Sequence, residues 1–323
     1  MMLRAFLAQS ILHALLAALV VETLLRTWRV GDAVWRLRFR TVALAAPLAW
    51  LPALFLFARF RSSPLFVARW ALFAGERWNL VRVGPSGLGD LILLLAAGAG
   101  SALFLRDALP SLRDALRGET RPPHAEPWQR AAFAVSALAA RHAASLGVPV
   151  PEVRVVSAAG PVLLCAGARE PALLVSPATL ARLSPDELDA AVAHEVAHAA
   201  HRDPAWGFVL IAVRALLFFN PAAQWVARAV VDDIERRADQ AVVRLTGRGE
   251  ALATAIEALF DGTRGLPGDD ASFERMFWRI RQEGLQRRCA RLRSHAAGAR
   301  LPHGRLQMAL VVTAVLGLTF FVV

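Results

Sequence analysis

Four uncharged apolar runs constrain what this chain can fold into. They cover residues 5–21, 41–58, 91–105 and 308–323. A helix needs roughly 20 apolar residues to cross about 30 Å of hydrocarbon. The mean hydropathy of +0.43 and the 56% hydrophobic residues exclude a disordered or fibrous chain. We therefore predict a mainly α integral membrane protein with about four transmembrane helices, at residues 5–25, 41–58, 86–105 and 306–323.

The first run has two interpretations. Arg4 resembles the charged start of a signal peptide. However, Arg26 and Arg29 follow the run, and no clean small-residue cleavage site separates them from it. A retained membrane anchor is therefore the preferred interpretation.

The other runs deviate from a simple span. Pro47 and Pro52 interrupt the second, but transmembrane helices tolerate proline where neighbouring groups satisfy the freed carbonyls. The run 91–105 is short and needs residues from 84–89, or a locally thinner bilayer, to cross completely. The run 308–323 is too apolar for a solvated tail, which favours a terminal anchor over a buried core helix.

A fifth hydrophobic stretch, residues 207–231, contains Arg214 and Arg228 and is broken by Asn220-Pro221. This pattern predicts two helices joined by a turn. The sequence leaves open whether they are core helices or lie against the bilayer surface.

The arginines predict an orientation. All 37 basic residues are arginine, giving a net charge of +11, but they cluster beside apolar runs rather than on a nucleic-acid-binding face. We therefore expect a lipid bilayer as partner and no nucleic acid. Near the span ends, fifteen arginines lie on one side and six on the other. This asymmetry predicts an N-terminus outside and a cytoplasmic segment between spans three and four.

This segment forms the largest predicted domain. We expect transmembrane helices in residues 1–105, a cytoplasmic domain in 106–305 with the linker Gly118 to Pro127 at its start, and a final span in 306–323. Cys165 and Cys289 form no CxxC pair, so neither a disulfide framework nor a cysteine zinc site is expected.

One helix of this domain carries a metal-binding pattern. Ser184 to Glu187 forms a helix start, with a serine N-cap, a proline at the first position and a capping-box glutamate. The helix is predicted to reach about Arg202. It contains His194 and His198, which project from one face at the spacing for two ligands of one zinc ion. Glu195 lies on the adjacent flank, where it can accept a proton from the attacking water.

A third ligand must come from elsewhere, because catalytic zinc sites use three protein ligands. The metzincin continuation fails, since Pro204 occupies the position of its third histidine. Downstream, Glu235 and Asp239 share one helical face as an ExxxD pair. A glutamate can bind zinc while an aspartate orients a ligand histidine. A solvated charged face is the alternative, but the preceding HExxH helix favours the metal-binding interpretation.

Three short strands are predicted before this helix, at residues 153–156, 162–165 and 172–175. A peptide substrate can pair with the edge of such a sheet. The residues proposed for this edge are Val162, Leu163, Leu164 and Cys165.

The motifs together resemble a known family. The sequence HEVAHAAHRD from His194, the FFNP element at 218–221 and the ExxxD pair resemble the membrane metallopeptidases of the BlaR/MecR type, over roughly residues 150–260. The related HtpX/Ste24 group shares HExxH and ExxxD, and its pattern is closer to His201-Arg202-Asp203. The spacing from His198 to Glu235 and the FFNP element favour the BlaR/MecR type.

This resemblance implies a gluzincin-like α+β zinc metalloprotease domain, with a small sheet and an HExxH helix, between spans three and four. It implies one Zn²⁺ per chain bound by His194, His198 and Glu235, with Glu195 as the catalytic base and Asp239 beside a ligand histidine. The substrate would be a protein, such as a transcriptional repressor or a membrane protein in bacterial signalling. BlaR/MecR receptors also carry a penicillin-binding sensor after the fourth span. Since this sequence stops at Val323, direct β-lactam sensing is not expected.

Several alternatives stay open. The chain could be an HtpX/Ste24-like quality-control protease, a non-catalytic membrane regulator with a protease-like fold, or a protein with structural zinc. Homo-oligomerisation is also left open. The chain has no tyrosine to stabilise an oxyanion. His201, seven positions after His194, is a candidate for that role, with a polar helix-end position as the alternative.

Overall fold

The computed structural model describes residues 2–71, 80–117, 129–156, 160–260, 284–294, 301 and 303–322. The predicted linker Gly118 to Pro127 lies outside these residues. The described chain is mostly helical with a small three-stranded sheet, as the sequence predicts. It divides into two compact units: a first unit of Met1–Gly118, Val209–Ile234 and Arg300–Val323, and a second of Glu119–Phe208 and Glu235–Ala299.

The helices and strands follow in chain order. The first part contains α1 (Met2–Thr27), α2 (Ala33–Arg61), α3 (Pro64–Arg69), β1 (Arg82–Val83), β2 (Ser86–Gly87) and α4 (Leu88–Arg117). The second part contains α5 (Gln129–Leu146), β3 (Glu152–Val155), β4 (Leu163–Ala166), β5 (Ala172–Val175), α6 (Pro177–Arg182), α7 (Pro185–Ala200), α8 (Asp203–Leu216), α9 (Pro221–Thr246), α10 (Gly249–Leu259) and α11 (Gly304–Phe320). A further helical segment covers 284–293.

Two described helices are long and apolar enough to cross a membrane by length and composition, at Phe6–Thr27 and Leu88–Asp107. These agree with the first and third predicted spans. The stretches 41–58 and 306–320 are also helical, within α2 and α11, and α11 is a shorter apolar helix. A membrane crossing by these two helices, and a total of four spans, stay predictions.

The first unit is packed through small residues of α1. Ala14, Ala17 and Ala18 are all buried in its core. Small residues allow helix backbones to approach closely in apolar bundles. A buried ion network adds to this packing: Arg40 pairs with both Glu22 and Asp233 at 2.7 Å. The paired charges offset the cost of removing these groups from water.

The turn between α8 and α9 is the predicted break at Asn220-Pro221. Asn220 accepts a hydrogen bond from the backbone N–H of Ala223 and so caps α9, while its Nδ2 donates to the carbonyl of Ser10 at 2.9 Å. Helix α4 approaches the same turn at Gly100. A Cβ on Gly100 would lie 2.4 Å from the backbone carbonyl of Phe219, so only glycine permits this approach.

The second unit contains the sheet with strand order β3-β5-β4. β3 pairs parallel and β4 antiparallel with the central strand β5. All four residues of β5 are buried, because this strand has a neighbour on each side and packs under helices. Val192 and Val196 of α7 share a core with Leu173 of β5. The three predicted strands are therefore confirmed, within one residue at their ends.

Helix α7 starts as predicted and ends slightly earlier. Ser184 is the N-cap, and Glu187 completes the capping box by accepting from the Ser184 backbone N–H at 2.8 Å. The helix ends at Ala200 because Arg202 adopts a left-handed conformation with φ of 55°. Such a residue terminates a helix, and here it lets the chain turn into α8 at Asp203.

Candidate metal centre

Three donor side chains converge in the second unit. His194 and His198 lie one helical turn apart on α7, and Glu235 comes from α9. The two histidine Nε2 atoms are 3.0 Å apart. Oxygen atoms of Glu235 lie 3.5 Å from Nε2 of His194 and 3.7 Å from Nε2 of His198. The structure thus brings together the three residues that the sequence predicts as metal ligands.

These separations fit a zinc ion. Zinc bonds to nitrogen and oxygen of roughly 2.0–2.1 Å at tetrahedral angles place the ligand atoms about 3.3 Å apart. The observed separation of 3.0 Å between the two nitrogens lies near this value, as do the distances of 3.5 Å from His194 to Oε2 and 3.7 Å from His198 to Oε1 of Glu235. Two imidazoles and one carboxylate are also the donor set of many catalytic zinc sites, in which a fourth position is kept for water or substrate.

The other ring nitrogens of the two histidines face carboxylates. Nδ1 of His198 lies 2.8 Å from Oδ2 of Asp203, and Nδ1 of His194 lies 3.3 Å from Oδ1 of Asp239 without hydrogen-bond alignment. A carboxylate at Nδ1 favours the tautomer that leaves the Nε2 lone pair toward the centre. Two such lone pairs facing each other require a shared proton or a cation between them, which supports a metal ion at this position.

Glu195 lies next to the donors but is not part of the convergent set. Its Oε2 accepts a 2.7 Å hydrogen bond from the backbone N–H of Cys165 in β4. Burial raises the pKa of Glu195, an effect that outweighs the neighbouring histidine charges. The side chain is therefore held by the sheet, close to the candidate metal ligands.

Asp203 is a residue of the candidate site to which the sequence analysis assigned no role. It begins α8 directly after the Arg202 turn and reaches back to His198. The guanidinium of Arg237 forms an ion pair with its other oxygen. The sequence signal that could have indicated this contact was the position of Asp203 five residues after His198, within the His201-Arg202-Asp203 stretch.

Arg288 is a second residue that the sequence analysis missed. It donates to both oxygens of Asp239 at 2.7 and 2.9 Å, lies 2.9 Å from Oε2 of Glu235, and has Nη2 3.1 Å from Nε2 of His194. Burial opposes ionisation of Glu235, but the charges of His194 and Arg288 hold its pKa well below the usual range. Arg288 thus places a fixed positive charge beside the candidate ligands.

Three further histidines and Cys165 take structural positions. Nδ1 of His201 lies 2.7 Å from the carbonyl of Ala197, so it occupies the helix-end position rather than facing the three ligands. Nε2 of His142 contacts Asp189 at 2.6 Å, and Nε2 of His13 contacts the carbonyl of Thr319 at 3.0 Å. Burial raises the pKa of the Cys165 thiol to about 12, which makes it a poor nucleophile.

Two candidate ligand histidines on one helix, a candidate ligand glutamate from a second helix and a further glutamate beside them match the pattern of a metallopeptidase site. Residues 153–252 match the family model described as BlaR1 peptidase M56. This segment, from β3 into α10, is therefore similar to that peptidase family, which confirms the BlaR/MecR-type resemblance over these residues. No curated protein and no solved structure matches the chain.

Proposed function

We propose that this chain is a membrane-embedded, zinc-dependent endopeptidase that binds one zinc ion through His194, His198 and Glu235. The observation that carries the proposal is the convergence of these three donors at separations of 3.0–3.7 Å, with Glu195 held beside them. The match to a peptidase family over the same residues supports it.

The chemistry divides between the metal and the protein. His194, His198 and Glu235 would hold a zinc ion, which would supply Lewis acidity toward the scissile carbonyl and the attacking water. Glu195 accepts the proton of the attacking water and returns it to the leaving amine. The Cys165 N–H orients the Glu195 carboxylate, and Asp203 fixes the ring of His198. The positive charge of Arg288 lies within the site.

The substrate pairs with strand β4 in this proposal. β4 is an edge strand, and its Leu164 and Ala166 pair with the central strand β5. The backbone N–H and C=O groups of successive strand residues point to opposite sides of the strand. The N–H and C=O groups of Leu163 and Cys165 therefore point away from β5. The Cys165 N–H is bonded to Glu195, which leaves the Leu163 groups and the Cys165 carbonyl for an extended peptide. Such backbone pairing would place a peptide next to Glu195.

The substrate class and location follow from the family and the arginine pattern. We propose a multi-pass protein of the bacterial inner membrane with a cytoplasmic protease domain and an outside N-terminus. Its substrate would be a cytoplasmic repressor or a membrane protein, in signalling or quality control.

Metal content is the first test. Zinc stoichiometry would be measured by elemental analysis on detergent-purified protein, beside Glu235→Ala and the exposed carboxylate control Glu170→Ala. We expect about one zinc per chain in the wild type and the control, and strongly reduced zinc in Glu235→Ala. A folded wild type without zinc would favour the regulator alternative. Zinc retained by Glu235→Ala would show that a different group is the third ligand.

Catalysis requires a separate test. Glu195→Gln keeps the size of the side chain but removes its basicity, so it should retain zinc and lose cleavage of fluorescent casein. Cleavage by this variant at the wild-type rate would refute Glu195 as the base. A zinc-loaded wild type that cleaves nothing would instead favour a structural zinc site.

Orientation can be tested with single cysteines. Cys289 is buried, so it is a poor reporter of sidedness, and both native cysteines would first be replaced. Ser62→Cys lies at an exposed position after α2, and Ser294→Cys at an exposed position after the segment 284–293. A membrane-impermeant maleimide should label the first in intact cells and the second only after permeabilisation. The reverse pattern would invert the proposed topology.

A further inference from the structure

Two arginines of the first unit meet at the end of a candidate membrane span. The span Leu88–Asp107 ends at an aspartate, and Oδ2 of Asp107 forms ion pairs with Arg228 of α9 and, at 3.6 Å, with Arg214 of α8. The other oxygen of Asp107 accepts from Arg106 at 2.7 Å. Two guanidinium groups therefore share one carboxylate oxygen, and Asp107 alone does not neutralise both.

The position of Arg214 is built into the fold. Its Nε donates to Oε1 of Gln224 at 3.0 Å, and Gln224 is fully buried. The amide of Gln224 in turn donates to the carbonyls of Arg214 and Leu217 at 2.9 and 3.1 Å. These contacts fix the guanidinium and leave its outer nitrogen to face Asp107.

Nitrogen atoms of this pair lack hydrogen bonds. Among the described residues, Nη2 of Arg214, Nε and Nη2 of Arg228 and Oδ2 of Asp107 are buried without an aligned hydrogen bond, so the single carboxylate does not satisfy the two guanidiniums. A buried charged donor without an acceptor is costly, and a group with several anionic oxygens would satisfy both guanidiniums. Phosphate oxygens match the planar donors of arginine, and phosphate is the anionic group that lipid headgroups present.

The surroundings of the pair are apolar and exposed. Trp225 lies one turn before Arg228 on α9, and Leu216 follows Arg214 at the end of α8; they are 45% and 62% exposed. Near them, Phe104 of α4 and Phe218 form an edge-on aromatic pair. Tryptophan and arginine beside exposed apolar residues are typical of the level where lipid headgroups meet acyl chains.

We propose that Arg214 and Arg228 bind the phosphate of an anionic phospholipid at the end of α4, with its acyl chains against the apolar residues of α8 and α9. The site is independent of the proposed peptidase activity. It also assigns a role to the two arginines that interrupt the stretch 207–231, because it places both at a lipid headgroup. Basic pockets between membrane helices bind anionic headgroups in this manner.

Native mass spectrometry of the full chain in detergent would test this proposal. The protein would be titrated with phosphatidylglycerol, with phosphatidylcholine of the same acyl chains, and with inorganic phosphate. We expect tighter binding of phosphatidylglycerol, and a loss of about fivefold in Arg228→Gln, the effect of roughly one charge at a membrane surface. Arg26→Gln, an exposed arginine at the end of α1, makes the same change in net charge and should bind as the wild type does.

The Asp107→Asn substitution should change the affinity for phosphatidylglycerol in the opposite direction. It removes the carboxylate that competes with the lipid, so phosphatidylglycerol should bind more tightly, and this variant tests the site even if Arg228→Gln does not fold. Equal losses in Arg228→Gln and Arg26→Gln, equal binding of the two lipids, or no gain in Asp107→Asn would overturn the proposal. Full displacement of phosphatidylglycerol by inorganic phosphate would also overturn it, in favour of a free-anion site.

Discussion

The backbone N–H of Cys165 donates a 2.7 Å hydrogen bond to Oε2 of Glu195, across 30 positions of the chain. This bond joins the edge strand β4 to the HExxH helix. It stabilises the ionised carboxylate, whereas burial favours the neutral acid. The same strand that we propose to bind substrate therefore also orients the proposed catalytic base.

The raised pKa of Glu195 predicts the acid side of the pH profile. A general base acts as the carboxylate, so activity is lost as the pH falls through its pKa. Because burial raises this pKa above the usual 4.5, kcat/KM should begin to fall above pH 4.5. The profile would be measured on zinc-loaded protein with a fluorogenic peptide. Full activity down to pH 4.5 would contradict the assigned effect of burial.

The Cys165 backbone bond can be removed by Cys165→Pro, which lacks the N–H. Since this N–H points away from β5, the sheet should persist, as proline is tolerated at strand edges. Loss of the bond should raise the pKa of Glu195 further and move the acid limb to higher pH, with zinc content unchanged. Cys165→Ala keeps the N–H and is the matched control. Identical pH profiles for both variants would argue against this role of the bond.

The local elements of the fold were predictable because their signals lie in short stretches. The capping box at Ser184, the break at Asn220 and the three strands follow from rules that act over a few residues, and the structure contains each of them. The HExxH and ExxxD spacings also predicted which side chains share a helical face. The structure then places His194 and Glu235 side by side.

The contacts around these ligands were not predictable in this way. Arg288 reaches His194 across 94 positions, and the segment that carries it shows no motif. Asp203 is only five positions from His198, but the contact depends on the left-handed turn at Arg202. Arginine has no preference for the left-handed conformation, so the residue type does not predict this turn. Both contacts therefore required the tertiary structure.

Asp203→Asn should weaken zinc binding. The Asp203 carboxylate holds Nδ1 of His198 at 2.8 Å, and loss of such a partner typically lowers metal affinity by about 10- to 100-fold. The affinity would be measured by competition with a chromogenic chelator. Asp186→Asn, an exposed aspartate in the first turn of α7, is the control. Equal zinc affinities of the two variants would exclude a role of Asp203 in the metal site.

The Arg288→Gln substitution should destabilise the metal-free protein more than the metal-loaded protein. Without metal, the guanidinium is the cation closest to Asp239 and Glu235, and removing one partner of such a buried pair costs about 3 kcal/mol. Bound zinc supplies positive charge to Glu235 itself, so the loss should be smaller in the metal-loaded protein. The thermal shift on adding zinc should consequently be larger in Arg288→Gln than in the wild type. An equal shift would indicate that Arg288 contributes the same in both states.

Gly100→Ala should destabilise the first unit, because its Cβ would lie 2.4 Å from both the carbon and the oxygen of the Phe219 carbonyl. These are backbone atoms of the turn that Asn220 stabilises, so the clash can be relieved only by moving α4 away. Overpacking of this kind typically costs about 1–3 kcal/mol. Gly98→Ala is the matched control on the same helix, since its Cβ meets nothing within 4 Å and alanine favours helix. Unfolding temperatures in detergent would compare the two. A Gly100→Ala variant as stable as Gly98→Ala would show that α4 does not pack on this turn.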